Sequence, residues 1–289
     1  MATDLPDHVS IWGELGAAPH ELGHVDVDGV ATRVLRAGAG PDLVLLHGTG
    51  GHLEAYSRNV ASLARRFRVT AYDMVGHGWS DLPDRPYTID VLSDHLLGLL
   101  DALGIERAHL SGESLGGWVA AWTAAHEPGR VERLILNTPG NIANKPEVMA
   151  RLRESTLLAV KEPTEENVRR RVEFLFHRKE MVTDELVDLR RRVYSRPGFL
   201  RAIENTLVLQ DPVVRKDFAW GPDWVGRISA PTLLLWTDHD PTGGLDEAEL
   251  LRAWIPGSRL EVIENAGHWP QWEEPDAFLR VHEEFLLDE

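Results

Sequence analysis

The chain is expected to fold as an α/β protein: a mostly parallel sheet covered by helices and broken by one helical insertion. Two observations lead there. Short apolar runs alternate with helical periodicities through both ends of the 289 residues, and that alternation stops between about residues 142 and 224. A prior of roughly 150 residues per domain fits one large domain carrying an insertion. The expected division is a core of 1–141 and 225–289 with an inserted helical lid at 142–224.

The elements follow in order. Residues 25–35 alternate around Asp28-Gly29, a turn pair that favours a hairpin at the sheet edge. Asp42-Leu43-Val44-Leu45-Leu46-His47 is a buried strand entering a tight loop, Gly48-Thr49-Gly50-Gly51. Further strands are expected at 67–72, 108–111, 133–137, 232–236 and 259–263. Leu92, Leu96, Leu99 and Leu103 recur at helical steps and place a helix between the strands at 67–72 and 108–111. Inside the insertion, Val168, Val172 and Leu175 and then Leu186, Leu189 and Val193 mark two amphipathic helices. Pro231 begins the return to the sheet.

Composition narrows the function. With 30 Lys plus Arg against 46 Asp plus Glu, the net charge of -16 repels polyphosphate backbones, so nucleic acid is not an expected partner. No segment approaches the ~18 unbroken apolar residues of a membrane span. The start, Met1-Ala2-Thr3-Asp4-Leu5-Pro6-Asp7, lacks the apolar stretch of a signal peptide, and a cytoplasmic location is the expectation. With 0 Cys, covalent catalysis has no thiolate and must use another residue.

That residue is Ser114. Gly112-Glu113-Ser114-Leu115-Gly116 follows a strand and precedes a small-residue helix with Gly117, Ala120, Ala121, Ala124 and Ala125, the setting of a nucleophile elbow. A serine hydroxyl needs a base, and the base needs a carboxylate to orient it. His268 lies just past the last expected strand. Asp240 and Asp238 both lie in the turn after 232–236, and either completes the chain order serine, acid, histidine. The Leu115 amide, together with the Thr49 amide or alternatively that of Gly50, is the expected oxyanion hole. Trp269, directly after the base, is expected to wall the pocket.

Two other patterns carry less. His20-Glu21-Leu22-Gly23-His24 matches a zinc-protease pattern, but Pro19, Gly23 and the strand that follows deny it the helix it needs, and no metal is expected. Asp73, His77 and Asp81 flank Gly76 and Gly78, and a hydrogen-bonded loop explains them better than a metal.

Through Leu46-His47-Gly48, Tyr72-Asp73-Met74-Val75-Gly76-His77-Gly78, the Ser114 elbow and Gly267-His268-Trp269, the chain resembles the α/β-hydrolase superfamily over essentially its whole length. Gly267-His268-Trp269-Pro270-Gln271-Trp272-Glu273 and the helical insertion make it similar to the meta-cleavage product hydrolases, which break a carbon-carbon bond in ring-opened aromatic dienoates. The resemblance selects Asp240 over Asp238. It also points to Arg190, in Thr183-Asp184-Glu185-Leu186-Val187-Asp188-Leu189-Arg190, as the cation that meets the substrate carboxylate; a solvated face of Arg190, Arg191 and Arg192 is the alternative. Two departures stand out: Glu113 replaces an Asn common before the nucleophile, and the oxyanion loop is shorter.

The resemblance implies hydrolysis of a vinylogous 1,5-diketone by Ser114, Asp240 and His268. A carboxylesterase or lactonase with the same triad is the second reading, and a non-catalytic ligand receptor on the same fold the third. The expected partner is a small carbonyl compound, no cofactor is required, and a homo-oligomer is left open.

Overall fold

The computed structural model describes residues 10–140, 142 and 145–287. The acidic start and the expected core limit at 141 therefore lie outside the described residues.

Eight strands form one sheet: β1 (His20–Val27), β2 (Val30–Ala37), β3 (Asp42–Leu46), β4 (Arg68–Tyr72), β5 (Ala108–Glu113), β6 (Val131–Asn137), β7 (Thr232–Thr237) and β8 (Arg259–Ile263). Their order is β1-β2-β4-β3-β5-β6-β7-β8. β1 and β2 are antiparallel to their neighbours, and every pairing from β4 to β8 is parallel.

The hairpin is longer than the expected 25–35. Asp28 (φ 50) and Gly29 (φ 82) do make its turn, but β1 extends back to His20. Most of β1 is exposed, so no apolar alternation marks its first half. His20 and His24 sit in this strand, about 13 Å apart at strand rise. A helical zinc site is ruled out there. Among the described residues no group of three or more His, Asp or Glu is placed to hold a metal ion.

The sheet is apolar on both faces because helices cover both. In β3, Leu43 and Leu45 pack with Val69, Ala71 and Phe278 on one side, while Val44 and Leu46 pack with Leu92, Leu96 and Val119 on the other. Register then aligns the strand ends: Leu46 pairs with Gly112, Glu113 with Asn137, and Thr237 with Ile263. Loops 48–51, 138–140, 238–242 and 264–269 and residue 114 thus leave the sheet at one edge, where ligands bind in open α/β sheets.

Between β6 and β7 the described residues hold helices and turns and no strand. Thr164 and Thr183 cap the helices Glu165–Glu173 and Asp184–Tyr194 by accepting from the amides of Asn167 and Leu186. Acidic residues fill both first turns and arginines both last turns, matching the helix dipole. The buried stripe of the second helix is Leu186, Val187, Arg190, Val193 and Tyr194, so it is centred one residue later than the expected Leu186, Leu189 and Val193. Arg190 lies on that inward stripe. No helix is long and apolar enough to cross a membrane among the described residues.

Candidate active site

Ser114 has φ 55 and ψ -115, a left-handed conformation rare for a side chain larger than glycine. Its neighbours make that turn feasible. A Cβ on Gly112 would come 2.2 Å from the Gly116 carbonyl oxygen, and one on Gly116 would come 2.3 Å from that of Leu46. Only hydrogen fits at either place. The Ser114 amide donates to Asn137 O (3.1 Å), and Ser114 O accepts from Gly140 (3.0 Å) and Trp118 (3.1 Å). The helix Leu115–His126 starts directly behind it, with its free amides toward the same edge.

His268 reaches this edge on a clamped loop. Its amide donates to Leu175 O (2.7 Å), the Thr138 hydroxyl donates to its carbonyl (3.2 Å), and the preceding Gly267 amide donates to Glu273 Oε1 (2.7 Å). Gly267 is required by close approach, since a Cβ there would stand 2.5 Å from both Leu175 O and the His177 amide. Glu273 thereby holds the loop.

Asp240 lies 2.9 Å through Oδ2 and 3.0 Å through Oδ1 from His268 Nδ1. The Thr242 amide and hydroxyl both donate to Asp240 Oδ1 at 2.8 Å, and the same hydroxyl lies 3.1 Å from Nδ1. Asp238 stands apart, accepting from the Ala266 amide at 3.4 Å and lying 3.6 Å from the His239 ring. The other ring nitrogen meets a second carboxylate. His268 Nε2 faces Glu113 Oε1 at 3.2 Å, and among the described residues no hydrogen bond joins Ser114 Oγ to His268. Burial opposes a charged ring, but Asp240 and then Glu113 overcome it and push His268 up to about 10.

One cavity touches Ser114, Leu115, Thr49, Glu113, His268 and Trp269 together. Thr49 borders it, whereas Gly50 (φ 66) packs toward Tyr194. Beneath this loop, the His47 ring is fixed. Its Nε2 accepts from the Met74 amide (3.2 Å), so Nδ1 carries the proton donated to Gly48 O (2.8 Å), and burial holds the ring well below the usual histidine range. The cavity also meets Met149, Leu152 and Leu207 of the inserted helices.

Arg190 is not part of a solvated arginine face. It is 1% exposed, with its guanidinium 5.0 Å over the Trp269 ring and 5.8 Å over that of Tyr194, and Nε and Nη2 lack partners. Arg191 and Arg192 stay outside and pair with Asp188. The arginine that borders the cavity is Arg171, which sequence reasoning missed. Its Nε donates to Thr156 Oγ1 (3.0 Å), Nη1 is buried without a partner, and burial, helped by the Arg190 charge, lowers it to about 10. The signal was present: Arg171 falls on the stripe of Val168, Val172 and Leu175, where a solvated arginine does not belong.

The Asp73 loop is braced as expected, and more widely. Asp73 accepts from the Leu53 and Trp79 amides (both 2.7 Å) and joins a buried group of Arg33, Glu54 and His52. His77 bonds Val75 O at 3.1 Å, and Asp81 accepts from the Ala31 amide at 2.9 Å.

Comparison with known proteins agrees with this architecture. A family profile described as alpha/beta hydrolase fold matches residues 41–275. A 2-hydroxymuconate semialdehyde hydrolase of Pseudomonas putida is 31% identical over 267 residues, covering 90% of this chain and 92% of that protein. A 2-hydroxy-6-oxononadienedioate/2-hydroxy-6-oxononatrienedioate hydrolase of Pseudomonas putida is 33% identical over 252 residues, covering 84% and 87%. A solved meta-cleavage product hydrolase from Pseudomonas fluorescens IP01 superposes with a TM-score of 0.81 at 29% identity, covering 94% of this chain and 98% of that one. With that fold, that edge of the sheet and these relatives, the chain belongs to the α/β-hydrolase fold family and is a hydrolase resembling the meta-cleavage product hydrolases.

Proposed function

We propose that the protein hydrolyses a carbon-carbon bond in a meta-cleavage-type vinylogous diketone that carries a carboxylate, with the inserted helices acting as a lid. Ser114 is the nucleophile, His268 the general base and Asp240 the group that orients it, while the Leu115 and Thr49 amides receive the oxyanion. Trp269 forms a wall of the pocket. The observation that carries the reading is Arg171, a buried arginine that borders this cavity, with a second buried arginine, Arg190, near it. Arg171 and Arg190 lie within electrostatic reach of each other, and both keep unpartnered N–H groups. Two adjacent buried cations are costly unless an anion joins them, and the substrate carboxylate supplies it. Named relatives with dienoate substrates support the same choice.

In this reading His268 assists ketonisation of the dienol. Ser114, or water activated beside it, then attacks the carbonyl and the carbon-carbon bond breaks. The test is a ring-fission dienolate offered beside a neutral chromogenic ester. Loss of the dienolate's visible absorbance supports the proposal; rapid ester cleavage with the dienolate untouched replaces it with a carboxylesterase or lactonase. One observation favours that second reading: the Glu113 carboxylate borders the same cavity and opposes an anion there.

A further inference from the structure

Glu113 ends β5, and its carboxylate turns to the base. Oε1 stands 3.2 Å from His268 Nε2, while Oε2 is buried without a hydrogen-bond partner. The carboxylate also lies against Gly48, where a Cβ would come within 2.6 Å of it. His268 therefore has a carboxylate on each ring nitrogen, Asp240 at Nδ1 and Glu113 at Nε2. In a serine hydrolase Nε2 is the atom that receives the nucleophile's proton. Glu113 and Ser114 thus compete for it.

We propose that Glu113 is a positioning residue that holds His268 as an imidazolium in the substrate-free site and takes its Nε2 proton when an anionic carbonyl substrate binds. The inference rests on the serine-hydrolase reading of Ser114. One proton moves: the Nε2–H bond breaks, an Oε1–H bond forms, and an ion pair becomes a neutral pair with no change in net charge. Nε2 then has the lone pair that accepts the Ser114 Oγ proton as Oγ bonds to the carbonyl carbon. The same transfer removes a negative charge from beside the Gly48 loop before the oxyanion forms there.

The surroundings explain why substrate triggers it. The charged and titratable groups facing the pair are Asp240 beside the ring, and Tyr56 and Arg171 within electrostatic reach of Glu113. The Arg171 cation attracts the Glu113 carboxylate and supports it electrostatically. A substrate carboxylate that neutralises Arg171 cancels that support, and its carbon skeleton displaces water, which further favours the neutral pair. Glu113 is thereby compatible with an anionic substrate.

The test compares wild type with Glu113→Gln, which keeps the shape and removes the charge. Histidine-ring ¹⁵N NMR, with His268 assigned by its loss in His268→Asn, should find the wild-type ring protonated on both nitrogens through about pH 8 and the Gln variant titrating at least one unit lower. On a neutral chromogenic ester the acid limb of the variant's pH–rate profile should move by the same interval, raising the rate at low pH about tenfold per unit. An unchanged titration in Glu113→Gln overturns the proposal. So does a wild-type ring titrating near the ordinary 6.5, a result that decides the matter even if the variant does not fold. Ser114→Ala separates the two readings: unchanged hydrolysis in it removes the serine-hydrolase reading, while an inactive Ser114→Ala with an unshifted ring removes only the role of Glu113.

Discussion

Arg190 lies 5.0 Å over the ring of Trp269, the residue that directly follows His268. A buried cation on an indole stabilises by about 2 kcal/mol, so this contact ties the inserted helices to the loop of the base. Arg171 makes no such stack and borders the cavity instead. Replacing either by Met should raise KM for an anionic dienoate roughly ten- to hundredfold, the worth of a charge-assisted hydrogen bond. A neutral ester should keep its KM in both. Only Arg190→Met should also lower the Tm, which thermal unfolding beside steady-state kinetics checks.

The acid of the triad is tested by a paired substitution. Asp240→Asn keeps the size but offers His268 Nδ1 a group that need not accept its proton. A fall in kcat of about 10⁴-fold is expected. Asp238→Asn, whose carboxylate meets the Ala266 amide at 3.4 Å, should stay near wild type. Equal losses in the two would remove Asp240 from its role.

Gly267→Ala places a methyl 2.5 Å from two backbone atoms, Leu175 O and the His177 amide, neither of which is a flexible chain end. Overpacking of that kind costs about 1–3 kcal/mol. The Tm should drop, and kcat should fall further than stability alone explains, because the displaced loop carries His268. Urea unfolding and kinetics at a temperature where the variant is folded separate the two effects.

Several buried histidines predict how stability responds to acid. Burial lowers His77, His95 and His282 to about 4 each, and His47 falls well below its ordinary range. Between pH 6.5 and 4 the unfolded chain binds these protons and the folded chain does not, so stability falls as pH falls. Each contributes a slope of up to about 1.4 kcal/mol per pH unit. Asp73 and Glu273, whose carboxyls burial raises above 3.8 and 4.5, act in the opposite sense above those values, within the same pH range. The stability that His268 contributes is fully present below 6.5, where both states are protonated, so it adds no slope there. Urea midpoints at pH 7 and pH 5 check the sign, and equal midpoints would contradict it.

What could be read from the chain was local. The Ser114 elbow is a run of glycines whose missing side chains are each needed within a few residues, and the parallel strands are short apolar runs because both faces are covered. The first half of β1 escaped notice because it is exposed on both faces. Arg190 could be placed near a substrate only by resemblance, since a run of three arginines does not say which one the helix turns inward. The Glu113 contact with His268 was beyond reach. It joins residues 155 positions apart, one at the end of β5 and the other in the loop after β8, and nothing in Gly112-Glu113-Ser114 records which way the carboxylate turns.

The carbonyl of Leu175 accepts the His268 amide at 2.7 Å, and Leu175 follows within two residues of the helix that carries Arg171. The cation and the base therefore share a tether. If that helix swung outward as a flap, it would drag His268 away from Asp240 and dismantle the site at each turnover. Passage in and out is then expected along the rim lined by Met149, Leu152, Leu207 and Gln210, none of which is hydrogen-bonded to His268 among the described residues. Enlarging side chains there should throttle entry while leaving the chemistry intact, which makes that rim the place to retune the size of substrate admitted.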